Sequence, residues 1–301
     1  MKAFYCDHFV LPLPPSHSFP MLKYARLRET VLDGGIVAPG DLLVPDAVEW
    51  TDLALVHTAE YVERIARGTL PADEQRRIGF PWSTGMVERA RRSVGGTVAA
   101  ARCALSEGTA VNLAGGTHHA FSDRGEGYCV FNDMAVAARA LRRDGRANRI
   151  AIIDCDVHQG NGTAAIFAGD PAVFTCSLHG EKNFPFRKQR SDLDITFPDG
   201  TGDDRYLDAL DGALETTFRR QDPDFVFYLA GADPYVGDRL GRLALSIEGL
   251  HERDRRVFER ARNVPIAVAM GGGYCPDVET IVAIHANTIR EAGRLHARLV
   301  V

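Results

Sequence analysis

The sequence predicts an α/β fold, a central parallel β-sheet flanked by helices on both faces. Two observations carry this. Short apolar runs bounded by Gly, Asp or Pro are continuous rather than alternating, as strands covered on both faces are. Helical periodicity fills most of the intervals between them, the alternation that builds parallel sheets. In chain order the predicted strands are DLALVH at 52–57, AVNLAGG at 110–116, RIAIIDCD at 149–156, VFTCSLH at 173–179, DFVFYLAGAD at 224–233 and PIAVAMGGG at 265–273. Predicted helices run from Thr84 to Leu105, Phe131 to Arg143, Ser246 to Arg262 and Asp277 to Leu295. Another follows GTGDD, where Leu207, Leu210, Leu214 and Phe218 make an apolar stripe and Asp203 or Asp204 is the expected cap. The longest stretch without a clear element, Gly180 to Asp204, reads as an ordered functional loop. No repeat, linker or low-complexity tract divides the chain, so a single domain over 1–301 is expected.

Charge and composition narrow the function. With 35 Lys plus Arg against 40 Asp plus Glu, the net charge of -5 gives no general electrostatic reason to bind nucleic acid or an anionic membrane. The opening MKAFYCDHFVLPLPP has no sustained apolar core and does not read as a secretory signal. Cys6, Cys103, Cys129, Cys155, Cys176 and Cys275 include no C-x-x-C pair and fit free thiols in a reducing compartment. A cytoplasmic protein is expected.

The chemically distinctive residues stand where apolar runs end, which is where open parallel sheets form their sites. Asp154, Asp156 and His158 alternate along an extended segment and share one side of it. Carboxylate and imidazole together suit a divalent metal with a position left for water, although an N-capping Asp beside a hydrogen-bonded His fits the same spacing. Strand 110–116 ends in two glycines and delivers His118 and His119, a pair suited to proton transfer or, more blandly, to a polar turn. Asp233 follows a run apolar enough for a central strand, where a lone carboxylate needs a cation or a hydrogen-bond set; Pro234 makes a helix cap the competing reading. Tyr274 follows three glycines and could donate to a developing oxyanion, or be a half-buried aromatic after a turn. Neither G-x-G-x-x-G nor G-x-x-x-x-G-K-[ST] is present, so the glycines do not mark a phosphate cradle.

GGTHHA, GYCVFND, DCDVHQGNG, SLH, GADPYVGDRLG and GGGY occur in the order and spacing of the histone deacetylase family, which this chain resembles over nearly its whole length. SDRGEGYC, HQGNG, GTGDDRYLD and GDRLGRLALS together look closest to its class IV branch. The resemblance implies an arginase/deacetylase-type fold and one Zn2+ per chain, held by Asp156, His158 and Asp233. It makes His119 the general base and acid, with His118 as an electrostatic partner. Asp154 is expected to hydrogen-bond His118, and Asn161 to stand behind His119, where some family members have an aspartate; Asn should keep His119 less cationic. Tyr274 would donate to the substrate carbonyl. Gly127, Tyr128, Phe184, Leu240 and Gly272 make up the implied substrate-binding set. A structural K+ is implied at an inner site of Asp154, Asp156, His158, Ser177 and Leu178, and another at an outer site of Phe167, Val173 and Tyr206.

The implied reaction is hydrolysis of an acyl-amine, either acyl-lysine in a protein or peptide or a small acylated amine, by metal-activated water. Acetyl and longer acyl groups both remain open. Leu240 falls where related acylpolyamine hydrolases can carry a glutamate, which argues against polyamines, and the rim segment IGFPWSTG has no acidic residue to grip a substrate backbone. An arginase-like binuclear hydrolase would need more carboxylates than these three ligands supply. An acyl-lysine binding module without turnover would be expected to have lost one of the chemical positions. Iron(II) would also suit an Asp and His site.

Overall fold

The structure, a computed structural model, describes residues 1–14 and 17–299, so the 1–301 span and the N-terminal stretch ending at Pro15 reach positions outside the described residues. The strands are β1 (Ala3–Phe4), β2 (Leu42–Leu43), β3 (Thr109–Asn112), β4 (Ile150–Asp154), β5 (Val173–Gly180), β6 (Leu193–Phe197), β7 (Phe225–Ala230) and β8 (Ile266–Met270). The helices are α1 (Leu22–Asp33), α2 (Trp50–Leu53), α3 (Ala59–Arg67), α4 (Ala72–Ile78), α5 (Thr84–Glu107), α6 (Asp133–Arg143), α7 (Asn161–Ile166), α8 (Asp203–Gln221), α9 (Ile247–Arg260) and α10 (Val278–Leu299). Among the described residues no helix is long and apolar enough to cross a membrane.

The eight strands form one sheet in the order β2-β1-β3-β8-β7-β4-β5-β6, and every pairing is parallel. Successive side chains enter different apolar clusters: Ala151 and Ile153 belong to one with Val226, Tyr228 and Val268, while Ile150 and Ile152 belong to the other with Phe225, Phe227 and Ala267. That two-sided burial is why the strands read as unbroken apolar runs. α8, α9 and α10 supply the first cluster, through residues such as Leu210, Val257 and Ile284. α5 and α6 supply the second, through Val94, Val98 and Val136. Each fully buried Leu, Ile, Val or Phe contributes roughly 1.5–3 kcal/mol of transfer free energy.

Several expectations are corrected. Residues 52–57 are not a strand: α2 ends at Leu53 and the chain continues in turns, with Leu53 fully buried and His57 hydrogen-bonded to backbone. A four-residue apolar run cannot by itself distinguish a strand from the inward side of a helical turn. Gly202, not Asp203 or Asp204, is the N-cap of α8. Asp203 spends its carboxylate on the backbone N–H (2.9 Å) and hydroxyl (2.6 Å) of Ser246, which ties α8 to the start of α9. The interval 180–204 contains β6, an edge strand whose LDITF is mostly half-exposed and so lacks the continuous apolar signal.

Candidate active site

Four neighbouring strands, β3, β8, β7 and β4, end along one edge of the sheet. Register pairs Asn112 with Ala269, Met270 with Ala230, and Asp154 with Leu229, so the loops that follow leave at one level. Parallel pairing therefore brings His118 and His119, Tyr274, Asp233, and Asp156 with His158 together from segments distant in sequence.

Asp156, His158 and Asp233 each offer a ligand atom within 4.8 Å of the others, and all three are buried. His158 Nδ1 lies 2.9 Å from Asp156 Oδ1 and 3.2 Å from Asp233 Oδ2. The other oxygens are held by backbone: the Gly272 N–H donates to Asp156 Oδ2 at 2.6 Å and the Val157 N–H to Asp233 Oδ1 at 3.0 Å. Asp233 Oδ2 is buried without a hydrogen-bond partner. Burial, and next the neighbouring Asp156, push Asp233 up to about 7; burial opposes charge on His158, but the adjacent carboxylates of Asp156 and Asp233 hold it up at about 10. A divalent cation satisfies the same three groups, including the orphaned oxygen, so the residues fit a mononuclear metal. Gly272 is required here: a Cβ on it would lie 1.8 Å from Asp233 Oδ2.

The two histidines have different partners. His118 Nδ1 is 2.6 Å from Asp154 Oδ2, and His119 Nδ1 is 2.7 Å from Asn161 Oδ1. Asn161 Nδ2 donates to Glu126 Oε1 at 2.5 Å, which fixes the amide orientation and makes His119 Nδ1 the protonated nitrogen. Nε2 of His119 is left as an acceptor. Burial would lower His118, but Asp154 and Asp156 raise it to about 9. Burial, then His118 and His158, hold His119 well below the ordinary histidine value. The pair, with ring centroids 4.1 Å apart, places a neutral imidazole beside a cationic one.

The FND segment explains how this pair is held, a role its sequence did not disclose. Asp133 accepts from the backbone N–H groups of Gly116 and Thr117 and from the hydroxyls of Thr97 and Thr117. Asn132 caps α6 through the Ala135 N–H and donates to the Ala120 carbonyl, so both sides of the His118-His119 turn are fixed.

Tyr274 is buried, its phenol pushed well above the usual range by desolvation, and it therefore stays a donor. Its backbone N–H donates to Asp238 Oδ2 (2.5 Å) and its carbonyl accepts from Arg239 Nε (3.1 Å), so the DRLG segment grips it from outside. A funnel of about 490 Å³ leads from the surface to His119, His158 and Tyr274, and Tyr128, Phe184, Leu240 and Gly127 form its walls. Phe184 stands edge-on to His119 at 4.9 Å. Gly127, with φ of 57°, lets that approach occur: a Cβ would meet His119 Cδ2 at 2.7 Å and Phe184 Cε1 at 3.1 Å. Tyr128 itself adopts φ of 67°, an uncommon conformation for a bulky residue, and aims its ring into the funnel beside Tyr274 (centroids 6.1 Å).

Asp154, Asp156, His158, Ser177 and Leu178 are all buried at the adjoining ends of β4 and β5, where Asp154 pairs with Ser177. Phe167 and Val173 flank the turn into β5 and pack in one apolar cluster, whereas the side chain of Tyr206 packs in the other, stacked on Phe197 at 4.8 Å. The sequence reading also passed over Arg253. This fully buried side chain donates to the carbonyls of Gly231 (2.6 Å) and Cys155 (3.3 Å), next to the ligand-bearing segments, while Asp254 accepts from its Nε. The available signal was spacing: Arg253 and Asp254 stand three and four residues after Leu250, on the helix face that Val257 continues.

The family model described as histone deacetylase domain matches residues 17–289. Histone deacetylase 2 of Arabidopsis thaliana is 32% identical over 293 residues, spanning 94% of this chain and 76% of that protein. An uncharacterized protein of Picosynechococcus sp. is 47% identical over 290 residues, 96% of this chain and 97% of the relative. The crystal structure of an HDAC homolog from Aquifex aeolicus superposes with a TM-score of 0.84 at 25% identity, covering 97% of this chain and 84% of that one.

Proposed function

The chain belongs to the histone deacetylase family, and from that premise we propose that it is a zinc-dependent lysine deacylase that hydrolyses N-acyl-lysine to carboxylate and free amine. The observation that carries the proposal is the buried convergence of Asp156, His158 and Asp233, with the unpartnered Asp233 Oδ2, and the opening of His158 onto a funnel that also exposes His119 and Tyr274.

Zinc held by Asp156, His158 and Asp233 would supply Lewis acidity toward the amide carbonyl and toward water. His119 is the proton carrier. Its Nδ1 hydrogen is committed to Asn161, so Nε2 takes the proton of the attacking water and later returns it to the departing amine. His118, cationic against Asp154, keeps positive charge beside the developing oxyanion without competing for that proton. The Tyr274 phenol donates to the same oxygen. Tyr128, Phe184 and Leu240 give an apolar path for the lysine methylenes, and Gly127 and Gly272 keep space that a side chain would fill. A structural K+ at the buried oxygens of Asp154, Asp156, His158, Ser177 and Leu178 would neutralise the carboxylates behind the zinc. The six free cysteines support a cytoplasmic setting.

The test is turnover of one lysine peptide carrying acetyl, butyryl, octanoyl or myristoyl groups, beside acetylated polyamines. Hydrolysis of acyl-lysine that Asp156→Ala and Tyr274→Phe both abolish or reduce at least a hundredfold upholds the proposal. Turnover of polyamines alone overturns it.

A further inference from the structure

We infer that the mouth of the funnel selects acyl-lysine flanked by acidic residues; this rests on the lysine-deacylase reading above and adds the sequence context of the substrate.

The inference comes from which charges stand at the mouth. Arg76 and Arg77, in the last turn of α4, line it on one side. Arg239 adjoins Leu240, which lines it too, and Arg187 follows the Phe184 wall, next to Phe186, which is 87% exposed. All four arginines are exposed. Among the described residues Arg76, Arg187 and Arg239 make no ion pair, and Arg77 has only the exposed partner Asp73, one helical turn away, a type of pair that contributes little in water.

Two acids of the same region, Glu126 and Asp238, are committed to internal hydrogen bonds. Glu126 directs its carboxylate to Asn161 Nδ2 at 2.5 Å. Asp238 is occupied by the backbone N–H groups of Tyr274, Leu240 and Gly241. A chain of net charge -5 therefore presents exposed guanidiniums at the mouth of this funnel, while Glu126 and Asp238 serve as internal braces. Such a cluster attracts anionic partners and repels cationic ones over about a Debye length, roughly 10 Å at 0.1 M salt. The side chains within about three residues either side of a bound acyl-lysine lie within that range. Acidic flanks meet exposed guanidiniums there; basic tails and polyamines meet repulsion.

The measurement is kcat/KM for three peptides with one central acyl-lysine and acidic, neutral or basic flanks, at low and high salt. Acidic flanks are expected to exceed basic ones about tenfold at low salt, with the ratio shrinking as salt rises. The Arg76→Glu/Arg187→Glu double variant should invert the ratio. Equal turnover of the acidic and basic peptides, or faster turnover of the basic one, overturns the inference. Fluorescence polarisation of the same labelled peptides on Tyr274→Phe reads affinity without turnover. Tighter binding of acidic flanks to Tyr274→Phe, with no hydrolysis of any of the peptides by the native chain, upholds the charge preference and overturns the deacylase reading; turnover by the native chain without a flank preference does the reverse.

Discussion

Asn161 Oδ1 accepts from His119 Nδ1 at 2.7 Å, and this one bond decides which nitrogen of His119 faces the funnel as a base. Replacing Asn161 with Leu keeps approximate volume and removes the acceptor, so the imidazole loses its fixed tautomer and orientation. A hydrogen bond that gains a charged partner during the reaction is worth about 1.5–3 kcal/mol. Asn161→Leu should therefore lower kcat about tenfold to a hundredfold with KM little changed. Asn161→Asp should restore orientation but raise His119, moving the acid limb of the kcat/KM profile to higher pH. An unmoved limb in Asn161→Asp would remove Asn161 from the proton path.

Gly272 offers a test of the metal group that does not depend on turnover. A Cβ there would lie 1.8 Å from Asp233 Oδ2 and 2.9 Å from Asp156 Oδ2, so both carboxylates must move in Gly272→Ala. Metal analysis after dialysis against a chelator of graded strength should show zinc affinity reduced at least about tenfold. Full retention of zinc would mean that Asp156 and Asp233 are not both ligands.

The sequence disclosed the sheet better than the elements around it. β4, β5, β7 and β8 are buried on both faces, and their runs are long enough to carry an unmistakable apolar signal. β1 and β2 are two residues each, too short for any periodicity, and β6 is an edge strand. The site followed from the strand ends, since Asp156, His158, Asp233 and Tyr274 have chemistry that stands out after apolar runs. Their supports did not stand out. Asn132, Asp133, Glu126 and Asp238 act through hydrogen bonds to segments far away in sequence, and only the folded register reveals those partners.

His57 lies in the run misread as a strand, and it supplies a pH-dependent prediction. Buried between the Phe121 carbonyl and the Asn132 N–H, it bridges α2 to the start of α6 as a neutral ring. Burial lowers it from 6.5 to about 4. Between those values the unfolded chain binds a proton that the folded chain does not, so stability from this group is fully present above pH 6.5 and is lost as pH falls toward 4. The limit is about 3 kcal/mol. Urea unfolding of the native chain and of His57→Gln at pH 7.5, 6, 5 and 4.5 should show their stability difference narrowing as pH falls. A difference constant with pH would show that His57 does not titrate with unfolding.

Arg253 and Asp254 are both fully buried, and the pair extends to the Tyr228 hydroxyl (2.5 Å) and the Thr288 hydroxyl (2.5 Å). On the other side, Arg253 holds the carbonyls of Cys155 and Gly231, the backbone that immediately precedes Asp156 and lies two residues before Asp233. Removing the guanidinium leaves an uncompensated buried carboxylate and two carbonyls without their donor, so Arg253→Met should cost about 3–5 kcal/mol in urea unfolding. Arg253→Met/Asp254→Asn removes the stranded charge and should recover part of that stability. Its zinc affinity should stay low, because the carbonyl clamp is still missing. Equal recovery of stability and zinc binding in the double variant would mean that Arg253 serves only to balance Asp254, and that the ligand-bearing segments are positioned by the strand register alone.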